Sequence, residues 1–240
     1  VTSPRPPLFA VQGDLRTLHP RDRALLVHRA FGTDATLKHD VAAIIGRVRD
    51  DGDTAVRALA RDLDGVLLDD LEVPREACSR ALDALYPALR QAMQRAANNI
   101  GCVHRAIPLQ ATAIEPEAGI IVERRPEPLQ RVGVYAPGGR GPYPSSVLMG
   151  VIPARAAGVR EIILCSPPQS ESGQPSDVVL AAAALCGVDR VFAIGGAGAI
   201  AAMAYGTETV PRVDLIVGPG NAYVAEAKAQ LRSVVATDAP

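Results

Sequence analysis

Three short turns hold the residue types that could meet a ligand. They read APGGRG (136–141), IGGAGA (194–199) and VGPGN (217–221), and each follows an aliphatic run. Glycine at the carboxyl end of a strand lets backbone N–H groups approach a ligand. The amino end of the helix that follows adds a positive dipole end suited to a phosphate or carboxylate. One such turn says little, because turns need glycine anyway. Three in register point to an anionic ligand such as a dinucleotide. None spells G-x-G-x-x-G, so an ordinary Rossmann dehydrogenase is not indicated. Few polar side chains accompany the glycines. Tyr135 ends the first strand, Tyr143 and Ser145 lie in the loop after it, and Asn221 opens the last helix. Asn221 reads equally well as a helix N-cap, and Tyr135 as a packing residue. Glu208 and Asp214 read as a surface charge and a turn residue.

What these turns lack is equally informative. No His or Cys lies in them: the last histidine is His104, and Cys165 ends a strand but runs into Ser-Pro-Pro. The pattern offers no His/Cys/carboxylate cluster for a metal and no nucleophile–base pair. His19, His28 and His39 are isolated, and His104 continues a helix face with no acidic or thiol partner at helical spacing. The cysteines, Cys78, Cys102, Cys165 and Cys186, form no C-x-x-C and read as buried thiols of a reducing compartment.

The elements that must position these turns follow from periodicity. After a Pro-rich stretch (1–19), helices are expected over 21–31 and 38–50. In the second, Val41, Ile44, Ile45 and Val48 fall on one face. The DDGD turn interrupts it, and Asp53 is placed to cap the next helix, which carries Val56, Leu59, Ala60 and Leu63 on one side and ends at Gly65. An extended piece over 66–73 leads to a long helix from Pro74 to about His104, with a kink expected at Pro87. Residues 120–125 read as an edge or crossing strand. From Leu129 onward the composition changes. Strands at 132–135, 161–165, 190–194 and 213–217 alternate with helices near 146–157, 176–186, 197–205 and 222–231. This is the βαβ signature of a parallel sheet covered on both faces. The fold expected is therefore α/β: a Rossmann-like parallel sheet over 130–240, preceded over 1–129 by a mainly helical part, with a domain boundary near Leu129.

Bulk composition narrows the function classes. The 240 residues carry a formal charge of −1, with 48% hydrophobic and 3% aromatic residues and no Trp. The core must therefore be aliphatic. Basic residues are dispersed, which argues against a nucleic-acid or membrane-surface partner. No run reaches membrane-span length and no signal peptide is evident, so a cytoplasmic protein with a small-molecule ligand is expected.

At these motifs the sequence resembles the histidinol dehydrogenases. The likeness rests on RVGVYAPGG with YPSSVLMGVIPARAAGV, and on LCGVDRVFAIGGAGAIAAMAYGTETVPRVDLIVGPGNAYVAEAK; weaker support runs upstream through VRDDGDTAV and NNIGCVHRAI. The resemblance implies a zinc-dependent homodimer that oxidises L-histidinol to L-histidine with two NAD. It implies cofactor contacts at Tyr135 and Asn221. A third contact, a Gln in the family, falls on Gly198 here, which removes a side-chain amide.

The resemblance also implies that the zinc ligands and the catalytic residues lie beyond TDAP, where the family continues into an AGPSE motif. Ser233, Ala236 and Leu215 depart from the family's usual Gly, Gly and Lys. The resemblance further implies that the mainly helical part over 1–129 belongs to an incomplete first domain, so the expectation is a fragment that is inactive alone and exposes apolar surface. Two other readings stay open: a non-catalytic nucleotide-binding module, and a paralogue acting on another alcohol.

Overall fold

A computed structural model describes residues 13–14, 16–20, 22–23, 35–107, 110–138 and 141–238. Most of the helix expected over 21–31, and residues 139–140 of the first glycine turn, lie outside the described residues. The strands are β1 (Glu72–Val73), β2 (Thr112–Glu117), β3 (Ile120–Arg124), β4 (Arg131–Tyr135), β5 (Glu161–Ser166), β6 (Arg190–Ala193), β7 (Leu215–Val217) and β8 (Ala236–Thr237). The helices are α1 (Ala35–Leu59), which runs into a π-helical turn over Ala60–Asp64, then α2 (Arg75–Ala84), α3 (Pro87–Ala106), α4 (Pro144–Ala156), α5 (Asp177–Cys186), α6 (Gly196–Tyr205) and α7 (Ala222–Gln230).

The expected parallel sheet is present. Its order is β1-β6-β5-β4-β7-β8, parallel throughout except for β1, which runs antiparallel on β6. Strand β5 shows why the sequence gives this layer. Ile163 and Cys165 point into one apolar cluster and Ile162 and Leu164 into the other, and all four are fully buried. A strand buried on both faces needs an unbroken aliphatic run. Helices α1, α6 and α7 cover one face, and α2 to α5 cover the other. The residues before 129 thus contribute an edge strand and helices on both faces. The chain reverses its order of addition between β4 and β7, and in open α/β sheets ligands bind outside the strand ends at such a switch.

Several local expectations are corrected. The long helix from Pro74 is two helices. Leu85 and Tyr86 are extended (ψ 137° and 130°); Tyr86, the residue before a proline, is pushed out of the helical region, and Pro87 then starts α3. The strand near 120 is one arm of a separate antiparallel hairpin with β2, which the sequence reading missed. Every residue of that hairpin is exposed, including Ile114, Ile120, Ile121 and Val122. Leu63 is also exposed, as is Cys102, so not all four thiols are buried.

Asp53 does not act as a local cap. The chain turns sharply at Gly52 (φ 52°, ψ −130°), where α1 kinks. Asp53, 5% exposed, reaches across to the loop after α6. Its carboxylate accepts from the Thr207 hydroxyl at 2.5 Å, from the Thr209 N–H at 3.3 Å and from the Thr209 hydroxyl, with Arg57 3.6 Å away. Glu208, read as a surface charge, accepts from the Asp53 N–H at 2.8 Å. Asp214 likewise accepts from the Arg131 N–H at 2.9 Å and ties the start of β4 to that of β7. At the far edge, Arg190 grips Glu72 with two hydrogen bonds of 2.9 and 2.6 Å and lies over the Phe192 ring, pinning β1 to β6.

Two measurements check these contacts. Asp53→Ala leaves two threonine hydroxyls and the Thr209 N–H without their acceptor, and should cost about 3 kcal/mol in urea unfolding. Burial pushes the Asp53 carboxyl up, but hydrogen bonds from Thr207 and Thr209, with Arg57 nearby, outweigh it and hold the group below the usual carboxylate range. A depressed folded-state value means the contribution is present above the unfolded value and is lost as pH falls through the folded one. The gap between wild type and Asp53→Ala should therefore narrow below about pH 4. Separately, an exposed apolar hairpin with free edges invites association. Sedimentation velocity should show self-association of the chain, reduced in Ile114→Lys/Ile121→Lys.

Candidate functional site

The glycine turns meet where β4 and β7 end. Gly218, first residue after β7, has φ 117°, and a Cβ there would stand 2.1 Å from the Tyr135 carbonyl oxygen. Only glycine fits, and the VGPGN turn consequently lies directly on the end of β4. The IGGAGA turn is tied to the same strand: the Gly196 N–H donates to the Tyr135 hydroxyl at 3.1 Å. Two of the three turns, which the sequence reading set in register along one edge, thus converge on one residue. The described part of the first turn adjoins them through Pro167, whose side chain would meet a Cβ on either Gly138 or Gly195 at under 3 Å.

Tyr135 is 3% exposed and its ring belongs to the core beside Ile163 and Cys165. What it can offer a ligand is its hydroxyl. Burial pushes the phenol up; the hydrogen bond from Gly196 opposes that, and Cys165 and Asp64 add to it. It stays protonated at neutral pH and keeps an O–H to donate. Asn221 is exposed, and its Oδ1 accepts from the Val224 N–H at 3.1 Å, the N-cap of α7. The capping reading and a ligand role are therefore compatible, because the cap uses the oxygen and does not use the amide N–H₂. Gly198 lies in the first turn of α6. A Cβ there would point at Leu59 Cδ1, 3.1 Å away, so a larger residue at 198 starts against α1. Tyr143 is half-exposed ahead of α4 and makes no side-chain cap.

Three groups escaped the sequence reading. Asp64 ends the π-helical turn, and its Oδ2 stands 3.6 Å from where a Cβ on Gly195 would be; burial pushes its carboxyl up. Lys228 and Asp238 flank Gly218 and are taken up below. A signal for Lys228 existed: Val224, Ala227, Lys228 and Leu231 share a helical stripe, which puts the lysine on the buried face of α7.

Beside the turns runs a groove of about 1200 Å³ along the outer side of α4. Half-buried Leu215 and Val217 form its floor, Met149 and Pro153 one wall, and Gly218 and Asp238 its end at the glycine edge. Among the described residues no group of three His, Cys, Asp or Glu side chains could hold a metal ion. No helix among them is long and apolar enough to cross a membrane. Burial holds the Cys78 thiol above its ordinary range, raises Cys186 to about 11, and drives Cys165 higher still. Cys165, the register partner of Tyr135, is thus a packing residue rather than a nucleophile.

Comparison with known proteins gives one answer. The family model described as histidinol dehydrogenase matches residues 27–240. The histidinol dehydrogenase of Methanosarcina mazei is 45% identical over 216 residues, covering 90% of this chain and 49% of that one. That of Xylella fastidiosa is 46% identical over 230 residues, covering 95% and 53%. The crystal structure of histidinol dehydrogenase from Elizabethkingia anophelis superposes with a TM-score of 0.84 at 33% identity, over 93% of this chain and 52% of that one. The chain spans about half the length of the curated relatives it matches.

Thiol titration checks the inert cysteines. With a disulfide reagent at about pH 8, exposed Cys102 should react at once and Cys186 slowly, while Cys78 and Cys165 react only after denaturant is added.

Proposed function

The chain belongs to the histidinol dehydrogenase family, and we propose that its glycine edge holds the NAD with which L-histidinol is oxidised to L-histidine. The single observation behind this reading is the convergence of two glycine turns on Tyr135. A Cβ at 218 would fill the place where backbone meets backbone, and the amino ends of α6 and α7 open at the same edge. A flat ligand rich in anionic oxygen suits such an edge.

Bound NAD would supply the hydride acceptor. The work of this chain's own residues is to bind and orient it. The Tyr135 hydroxyl, fixed by Gly196, donates from the end of β4. The Asn221 amide, steadied by its cap on α7, offers N–H groups from the end of β7. Backbone N–H groups at the start of α6, Gly198 among them, face an anion without needing a side chain. The family resemblance also implies zinc and a homodimer. The described residues supply no metal-ligand set, so no step through zinc is assigned to them. The alcohol's proton acceptor and the residues that read the imidazole are not assigned to this chain either. On this reading the 240 residues bind cofactor and do not by themselves turn over L-histidinol.

Calorimetric titration with NAD tests the proposal. Saturable binding is expected, and Asn221→Asp, which keeps the helix cap but replaces the amide donor with an anion, should weaken it at least about tenfold. A wild-type chain that binds no NAD, or an Asn221→Asp variant that binds as well, would sink it. NADH formation from L-histidinol by the purified chain would overturn the assignment of binding alone.

A further inference from the structure

We propose that Lys228 and Asp238 are positioning residues that clamp the Gly218–Asn221 turn in the shape a dinucleotide meets. This rests on the reading of the glycine edge as a dinucleotide site and adds two residues to it.

Lys228, 3% exposed, donates from Nζ to the Gly218 carbonyl oxygen at 2.5 Å and to Asp238 Oδ1 at 2.6 Å. The other carboxylate oxygen, Asp238 Oδ2, accepts from the Gly218 N–H at 2.8 Å. One ion pair therefore takes both polar groups of a single glycine and closes a ring around it. The φ of 117° at Gly218 turns these groups toward α7 and β8 together, a conformation closed to other residues here by the Tyr135 carbonyl.

Beyond Gly218 the turn has little else to hold it. Pro219 has no N–H, Pro219 and Gly220 are exposed, and the next anchor is the Asn221 cap on Val224. The clamp is one of two fixed points, with the proposed cofactor contact beside the other. Stability alone does not account for the lysine. Its neighbours on the buried stripe of α7 are Val224, Ala227 and Leu231, and an apolar residue in place of a buried ion pair is often as stable or more so. What an apolar residue could not do is donate to the Gly218 carbonyl.

The test combines NAD titration with hydrogen exchange of the Gly218 amide, followed by ¹⁵N NMR on the ligand-free 240-residue chain. In Asp238→Ala and Lys228→Met the Gly218 amide should exchange at least about tenfold faster, and NAD affinity should fall about tenfold. Asp238→Asn keeps an oxygen for the Gly218 N–H but sets a donor N–H₂ against the Lys228 ammonium, so its Gly218 protection and NAD affinity should fall between those of Asp238→Ala and wild type. A change in overall stability alone would move the core amides with Gly218. Unchanged Gly218 exchange in Asp238→Ala, or unchanged NAD affinity with exchange accelerated, overturns the proposal. If the wild-type chain binds no NAD, the dinucleotide reading fails separately, and Gly218 exchange still decides whether the pair holds the turn.

Discussion

Close approach of backbone around β4 is the constraint on which the rest of the structure depends. A Cβ on Gly133 would lie 2.5 Å from the Met203 sulfur of α6, and one on Gly150 of α4 would lie 2.8 Å from Val134. At these two points, one on each face, a side chain in place of glycine would have to displace Met203 or Val134. Because α6 sits that close, its amino end reaches Tyr135; because β7 lies alongside, the VGPGN turn folds over the end of β4. The glycine edge is a by-product of tight layering about one central strand, at the point where the sheet changes direction.

The same layering explains a division of labour. Groups that could do covalent or acid–base chemistry near β4 are muted by burial: Cys165 is locked as a thiol and Tyr135 as a phenol. Charged groups that are buried, Asp53 and Lys228, are fully engaged with backbone and hydroxyl partners. They act on loops, one on the segment after α6 and the other on the turn after β7. Burial thus turns the charged groups near β4 to holding loops in place rather than to chemistry.

The central strands and their helices were legible in the sequence because each is a strong periodic run bounded by Gly or Pro. Strand β1 lies at the end of the extended piece read over 66–73, but its pairing was not legible, and β8 was not read at all, because a two-residue strand is defined only by the neighbour it pairs with. β2 was missed because Pro116 sits within it, a residue that demotes a strand in isolation and is tolerated in an exposed hairpin. Tyr135 and Asn221 were legible as candidates, but their hydrogen-bond partners, Gly196 and Val224, were not. Lys228, Asp238 and Glu208 were passed over for one reason: an isolated charge reads as a surface residue until its partner, distant in sequence or on another element, is known.

The Asp53 contact and the β1–β6 pairing have a consequence for how the chain comes to be folded. Helix α1 and strand β1 find their partners 118 to 156 residues further on, at Arg190 and the 207–209 loop. At ordinary synthesis rates of about 5–20 residues per second, the amino-terminal helices would spend on the order of 10 s outside the ribosome with their apolar stripes uncovered. Contacts this distant in sequence also slow folding once the chain is released. A chain wired in this way leans on whatever shelters nascent apolar surface in the cell, and its yield as a folded protein would track that shelter more closely than its final stability.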